Sequence, residues 1–146
     1  MDTHALDNLE EWGGVLEELD RVKHDRLVDE YQKELLRILR FQDNWRMRKA
    51  ALEALREVYR PSEPLVEEAC RIMMNEGLYH RVRVLAAEVL AAMGERLAQS
   101  RERRLARLRS QVGRQMQELL DSQQPPVLHQ AVRRIMPMMR SYKGNA

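Results

Sequence analysis

Ten residues of this chain recur in similar form 35 positions further on, and that narrows the available folds more than any other feature. Arg46-Met47-Arg48-Lys49-Ala50-Ala51-Leu52-Glu53-Ala54-Leu55 aligns with Arg81-Val82-Arg83-Val84-Leu85-Ala86-Ala87-Glu88-Val89-Leu90. Arg46/Arg81, Arg48/Arg83, Ala51/Ala86, Glu53/Glu88 and Leu55/Leu90 are identical, and most other pairs keep their apolar class. In the first copy Met47, Ala50, Ala51, Ala54, Leu55 and Val58 share one helical face, with charged residues opposite. That is the 3.6-residue period of a half-buried helix. A period of this size with two helices per unit marks an α-solenoid, whose units bury their faces only by stacking. About three units are the usual minimum, and 146 residues hold about that number.

The flanking sequence supplies the partner helices. Leu27, Tyr31, Leu35, Ile38 and Leu39 form one stripe ending near Phe41. Asp43 or Asn44 is placed to cap the helix that starts at Trp45. Pro61 is expected to end that helix near Arg60, because proline cannot continue the hydrogen-bond ladder. Ser62 then caps a helix carrying Leu65, Val66, Ala69, Ile72 and Met73, with Pro64 in its first turn and Gly77 as its stop. A helix from Tyr79 to Ala98 follows, with Val82, Leu85, Ala86, Val89, Leu90 and Met93 inward. A longer one from Ser100 to Gln123 carries Leu105, Leu108, Val112, Met116 and Leu119. The last runs from Val127 to about Met136, where Pro137 ends or kinks it. At the other end Leu6, Leu9, Trp12, Leu16 and Leu19 repeat at helical spacing, interrupted by Gly13-Gly14.

The repeated segments resemble the second helix of a HEAT repeat, whose pattern is apolar-Arg-x-x-Ala-x-x-Ala/apolar-Leu. Met47-Arg48 and Val82-Arg83 stand at its apolar-Arg pair, Ala51 and Ala86 at its small interior position, and Leu55 and Leu90 at its terminal leucine. The resemblance covers residues 26–98, with 101–136 as a third unit carrying Ala131-Val132-Arg133-Arg134. The aspartate this family often places in the interhelix turn has a counterpart in Asp43, whereas the second unit has Leu78-Tyr79-His80. The resemblance implies an all-α fold, a short α-α superhelix of about three HEAT-like hairpins. It divides the chain into an acidic N-terminal helix or cap (1–24), a repeat domain (25–136) and a flexible tail (137–146). It also implies a non-catalytic protein–protein interaction module, an adaptor or scaffold using a concave surface lined by second helices. On that surface the partner-binding candidates are Arg46, Lys49, Glu53 and Arg56 from the first unit and Arg81, Val84 and Glu88 from the second. Val84, Ala91 and Ala92 are expected to be covered by the C-terminal helices.

Charge points to a second candidate. Residues 1–34 hold 11 acids against four bases, and residues 96–146 hold 11 bases against three acids. Arg101, Arg103, Arg104, Arg107, Arg109 and Arg114 fall within 14 residues, offset there only by Glu102. Such a stripe suits an acidic protein surface, the chain's own N-terminal segment included, or phosphates. Nucleic-acid binding through residues 101–114 is therefore the alternative function. No aromatics are interleaved, so stacking on a single strand is not suggested.

No catalytic or cofactor site emerges. His4, His24, His80 and His129 show no metal-ligand spacing and none precedes Glu, as it does in iron-binding HEAT-like proteins. Cys70, the only cysteine, reads as a buried structural thiol. Trp45 gives thin support to a glycosylase-type groove and reads as an interior or hinge-packing residue. Met136, Met138 and Met139 around Pro137 suit a core cap or an adaptable contact patch. The expectations are no enzyme activity, no metal and no cofactor. An acidic start without Lys or Arg before Arg21 and no long apolar run point to a cytoplasmic protein without a membrane span, monomeric or homodimeric.

Overall fold

The computed structural model describes residues 11–41, 44–98 and 103–141. Among them seven α-helices and one 3-10 turn account for all regular structure. The helices are α1 (Trp12–His24), α2 (Gln32–Arg40), α3 (Trp45–Leu55), α4 (Glu63–Met74), α5 (His80–Ala98), α6 (Arg103–Asp121) and α7 (Pro126–Ser141), and the 3-10 turn Val28–Tyr31 leads into α2.

The packing follows a simple alternation. Each of the pairs α2–α3, α4–α5 and α6–α7 packs as a hairpin. Between pairs, α1 packs on α3, α3 on α5 and α5 on α7, while α2 packs on α4 and α4 on α6. Two rows of helices result, and α5 lies where both meet the third hairpin. Its buried residues, among them Ala86, Ala87, Val89, Leu90, Ala91, Met93 and Leu97, take up more than half of its circumference, and Val84, Glu88, Ala92 and Glu95 form a half-buried strip along the rest. Ala91 is buried, and Val84 and Ala92 are half-buried.

Local chemistry sets the helix limits. α1 ends in a Schellman motif, with Leu27 N–H donating to the Val22 carbonyl (2.9 Å) and Arg26 N–H to that of Lys23 (3.1 Å). Arg26 fills the left-handed position at φ 58°, where glycine is the usual occupant. Asn44 caps α3 by accepting from the N–H groups of Arg46 (3.0 Å) and Met47 (3.2 Å); Asp43 lies outside the described residues. Ser62 occupies the position before α4 but its side chain makes no capping bond, and Pro64 sits in the first turn as expected.

Four boundaries differ from the sequence expectation. The Leu27 stripe begins as a 3-10 turn, so α2 proper starts at Gln32. α3 stops at Leu55, well before Pro61, because the following turn is held from outside. The Asp29 carboxylate accepts from Tyr59 N–H (2.7 Å) and Arg60 N–H (2.8 Å). Gln32 accepts from Ser62 N–H (2.7 Å) and donates to the Arg60 carbonyl (2.9 Å). α4 ends at Met74 and Asn75 folds back over the turn, accepting from Gly77 N–H (2.9 Å), so Gly77 is no left-handed stop. α7 runs through Pro137 to Ser141. Proline costs the Arg133 carbonyl its i+4 donor, but Arg133 and Pro137 are both exposed, so that carbonyl is left to water.

Candidate functional site

The two repeat arginines are structural anchors. Arg48 Nε donates to the carbonyl of Leu39 (3.0 Å), and Arg83 Nε donates to that of Met73 (2.8 Å). In each case the fourth residue of the second helix reaches the next-to-last residue of the first, whose carbonyl lacks a helical donor. α7 repeats the arrangement with a different residue. His129, its fourth residue, donates from Nε2 to the carbonyl of Leu120 (2.8 Å), next to last in α6. Its Nδ1 faces Arg133 Nη2 at 3.4 Å, which fixes the Nε2–H tautomer. The third-unit anchor is therefore His129 and not the Arg133-Arg134 pair. Arg83 is the most enclosed of the three, at 2% exposure, and also donates to Gln124 Oε1 (2.9 Å). Burial pulls its pKa down, and the Glu76 carboxylate opposes that.

The predicted contact residues of α3 and α5 come together on one surface. Arg56 and Glu88 pair at 3.0 Å between the two helices. Lys49 stands 4.0 Å from Glu53 within α3. Arg46 and Arg81 are exposed, and Val84 is half-buried against the core. The surface thus offers a mixed Arg/Glu pattern, part of it already neutralised.

The arginine stripe forms a separate site. Arg104, Arg107, Arg109 and Arg114 line a cleft of about 970 Å³ along α6, with Glu63 as its one acid and Leu108 and Met136 as apolar lining. Arg107 and Arg114 have no acidic partner among the described residues, whereas Arg104 and Arg109 are engaged. Arg103 is exposed outside this lining, and Arg101 lies outside the described residues. Residues 107 and 114 stand seven apart, roughly 10.5 Å along the helix axis. Met136 is buried, and the side chains of Met138 and Met139 are not among those described.

Other ionisable groups read as scaffold. Glu68, 5% exposed, joins α2 to α4 by pairing with Arg40 (3.5 Å) and Arg71. Burial, with help from Glu67, pushes the Cys70 thiol up to about 12, so it stays protonated and unreactive near neutral pH. Among the described residues no three His, Cys, Asp or Glu side chains gather as a metal site, and no helix is long and apolar enough to cross a membrane.

The aromatic residues depart from expectation. Trp45 is 55% exposed rather than interior, with the Arg46 guanidinium 6.0 Å from its ring centroid. Trp12, Tyr59 and Tyr79 are also exposed. The offset that aligns the arginines sets Trp45 one position from the equivalent of Tyr79, the one sequence signal that joins them. Comparison of the chain with family models, with curated proteins and with solved structures gives no match.

Proposed function

We propose that the chain is a non-catalytic protein-interaction module, built as a short superhelix of three HEAT-like hairpins behind a capping helix. The repeated anchor supports the architecture: Arg48, Arg83 and His129 each bind the next-to-last carbonyl of the preceding helix. The partner is an acidic protein segment held in the α6 cleft. The observation that carries this reading is that Arg107 and Arg114, with no acidic partner among the described residues, stand in a cleft where four arginines meet the single acid Glu63. Each guanidinium group can hold one carboxylate bidentately, so the two suit acidic side chains about two helical turns apart. Leu108 and Met136, both buried, form the floor of the cleft beneath the guanidinium groups, so charge more than apolar contact selects the partner. The mixed surface of Arg46, Lys49, Glu53, Arg56, Arg81 and Glu88 lies on the other row of helices and is a second contact surface, suited to setting orientation more than affinity.

Capture from cell lysate tests the reading, with the intact chain and an Arg107→Glu/Arg114→Glu variant, each with and without nuclease. A protein that survives nuclease and is lost with the variant supports it. Capture of nucleic acid alone, with affinity falling steeply as salt rises, replaces it with phosphate binding along α6.

A further inference from the structure

The row formed by α1, α3, α5 and α7 has two open ends. α1 packs on α3 and the 3-10 turn, α7 packs on α5 and α6, and no described element packs closely on the far side of either. The helices of the row run in one direction. Short connections make α3, α5 and α7 parallel. Asp29, shortly after α1, binds the amides of Tyr59 and Arg60 beyond α3, so α1 and α3 end at the same edge.

The two ends carry opposite charge. Residues 11–34 hold eight acids and four bases, whereas residues 103–136 hold seven bases and two acids. In α1 the buried side chains Val15, Glu18, Leu19 and Val22 take one side, and Glu17 and Asp20 are exposed on the other. In α7 Leu128, Ala131, Val132 and Ile135 are buried, and Arg133 and Arg134 are exposed opposite them. None of these four charges has an oppositely charged partner among the described residues. Arg21, the base next to Asp20, is already held by Glu18 and Asp25.

We propose that α1 of one copy docks on α7 of a second, so that chains join end to end and the row of parallel helices continues across the contact. Axial spacing supports it. Counted from the first residue of each helix, Glu17 and Asp20 stand roughly 7.5 and 12 Å along α1, and Arg133 and Arg134 roughly 10.5 and 12 Å along α7. Parallel helices that start level thus bring each acid to within about 3 Å of an arginine in height, well inside the reach of the side chains. Rotation agrees. Asp20 lies about 60° back from Glu17, and Arg134 about 100° forward from Arg133. Opposite rotations on two facing parallel helices point to one side of the contact, so Glu17 meets Arg133 while Asp20 meets Arg134. The other row carries the same change of sign, from Glu30 and Glu34 around the start of α2 to the arginines of α6.

Nucleic acid or an acidic segment of another protein would engage the basic end and leave Glu17 and Asp20 without a role, whereas a second copy uses both ends. The contact is heterologous, so every added chain leaves one acidic and one basic end open and growth does not close at two chains. Both faces are mainly polar, so the association is weak and salt-sensitive. The inference goes beyond the acidic partner of the α6 cleft and requires neither Arg107 nor Arg114, so either reading can fail without the other.

Sedimentation equilibrium of the full chain tests it, up to about 1 mM chain and at roughly 50 and 300 mM salt. At low salt the average mass is expected to climb past that of two chains as concentration rises, and to fall back toward one chain at high salt. Glu17→Gln/Asp20→Asn and Arg133→Gln/Arg134→Gln each weaken the association about tenfold. These side chains are exposed, so both variants keep the parent's melting temperature. Mixed in equal amounts, the two variants regain the parent's affinity but stop at two chains, because each pair has one intact contact and two neutralised ends. The proposal is overturned by any of four results: the mass of one chain throughout, growth of the intact chain that stops at a dimer, association that neither salt nor the variants weaken, or a mixture no heavier than the variants alone.

Discussion

Arg83 is the residue on which the largest single effect is expected. It is almost wholly enclosed and serves two acceptors, the Met73 carbonyl and Gln124 Oε1. Burying a guanidinium is costly, and an apolar replacement sometimes recovers that cost. Here the two acceptors decide the sign, because both lose a charged donor when the arginine goes. Arg83→Met is expected to destabilise by about 1.5–3 kcal/mol, and Arg48→Met, with one acceptor and more water nearby, by about 1 kcal/mol. Urea unfolding of the two variants measures the difference, and equal effects would show that the second acceptor contributes nothing. Cys70 gives a second prediction at this scale. Its thiol is raised from 9.0 to about 12 in the folded chain, so the folded state holds its proton where the unfolded state has released it. Above about pH 9 the unfolded chain binds fewer protons than the native one, so stability falls as pH rises. Cys70→Ser removes this slope, though it adds a buried hydroxyl. Denaturant midpoints between pH 8 and pH 10.5, compared for parent and variant, test it.

The helices show what a single sequence does and does not disclose. Each apolar stripe was legible because period and burial share one cause: Leu105, Leu108, Val112, Met116 and Leu119 are read as one face and are all buried. The Asn44 cap was legible for the same local reason. The end of α3 was not. Its turn is fixed by Asp29 and Gln32, about 30 residues earlier, and no local rule reaches that far. His129 was hidden because the residue type changed and the interval grew, while the hydrogen bond stayed the same. In the candidate site the arginine run was plain, but Glu63 and Met136 join it only through packing. Trp45 was misread because an aromatic residue beside an apolar stripe looks interior, and only the placement of the α3 N-terminus at an edge shows otherwise. The turn after α3 is open to test. Asp29→Ala removes acceptors from two backbone N–H groups in an exposed setting and is expected to cost about 1–2 kcal/mol. Hydrogen exchange should rise first at Tyr59 and Arg60. Protection unchanged at those two amides would mean that the turn is held by Gln32, or by Arg96, which bonds the Val58 carbonyl and lies 5.5 Å from the Tyr59 ring centroid.

At the scale of the molecule the question is whether two hairpins suffice. α5 is covered by α3 and α4 on one side and by α6 and α7 on the other, and α4 is covered in part by α6. A chain ending at Ala98 keeps the first two hairpins and loses the cover from half of α5. Fully burying a side chain such as Leu, Val or Met contributes about 1.5–3 kcal/mol. Uncovering even three or four of the buried apolar side chains of α5 therefore removes a free energy comparable with the whole 5–15 kcal/mol of an ordinary domain. Stacked repeats draw their stability from such interfaces, so the loss is not confined to the end that is cut. The shortened chain is expected to keep helical circular dichroism, bind a hydrophobic dye and unfold without a sharp transition. Among the described residues, removing 1–24 instead uncovers the side of α3 and the part of the 3-10 turn that meet α1, where Val15, Leu19 and Val22 are buried, and should leave a cooperative but less stable fold. Thermal melts of the two truncations decide the matter. If the chain ending at Ala98 melts sharply, the first two hairpins form an autonomous core and the third is an appended binding element. If only the chain lacking residues 1–24 melts sharply, the third hairpin is part of the fold, and the arginine cleft on α6 rests on a helix that the rest of the stack requires.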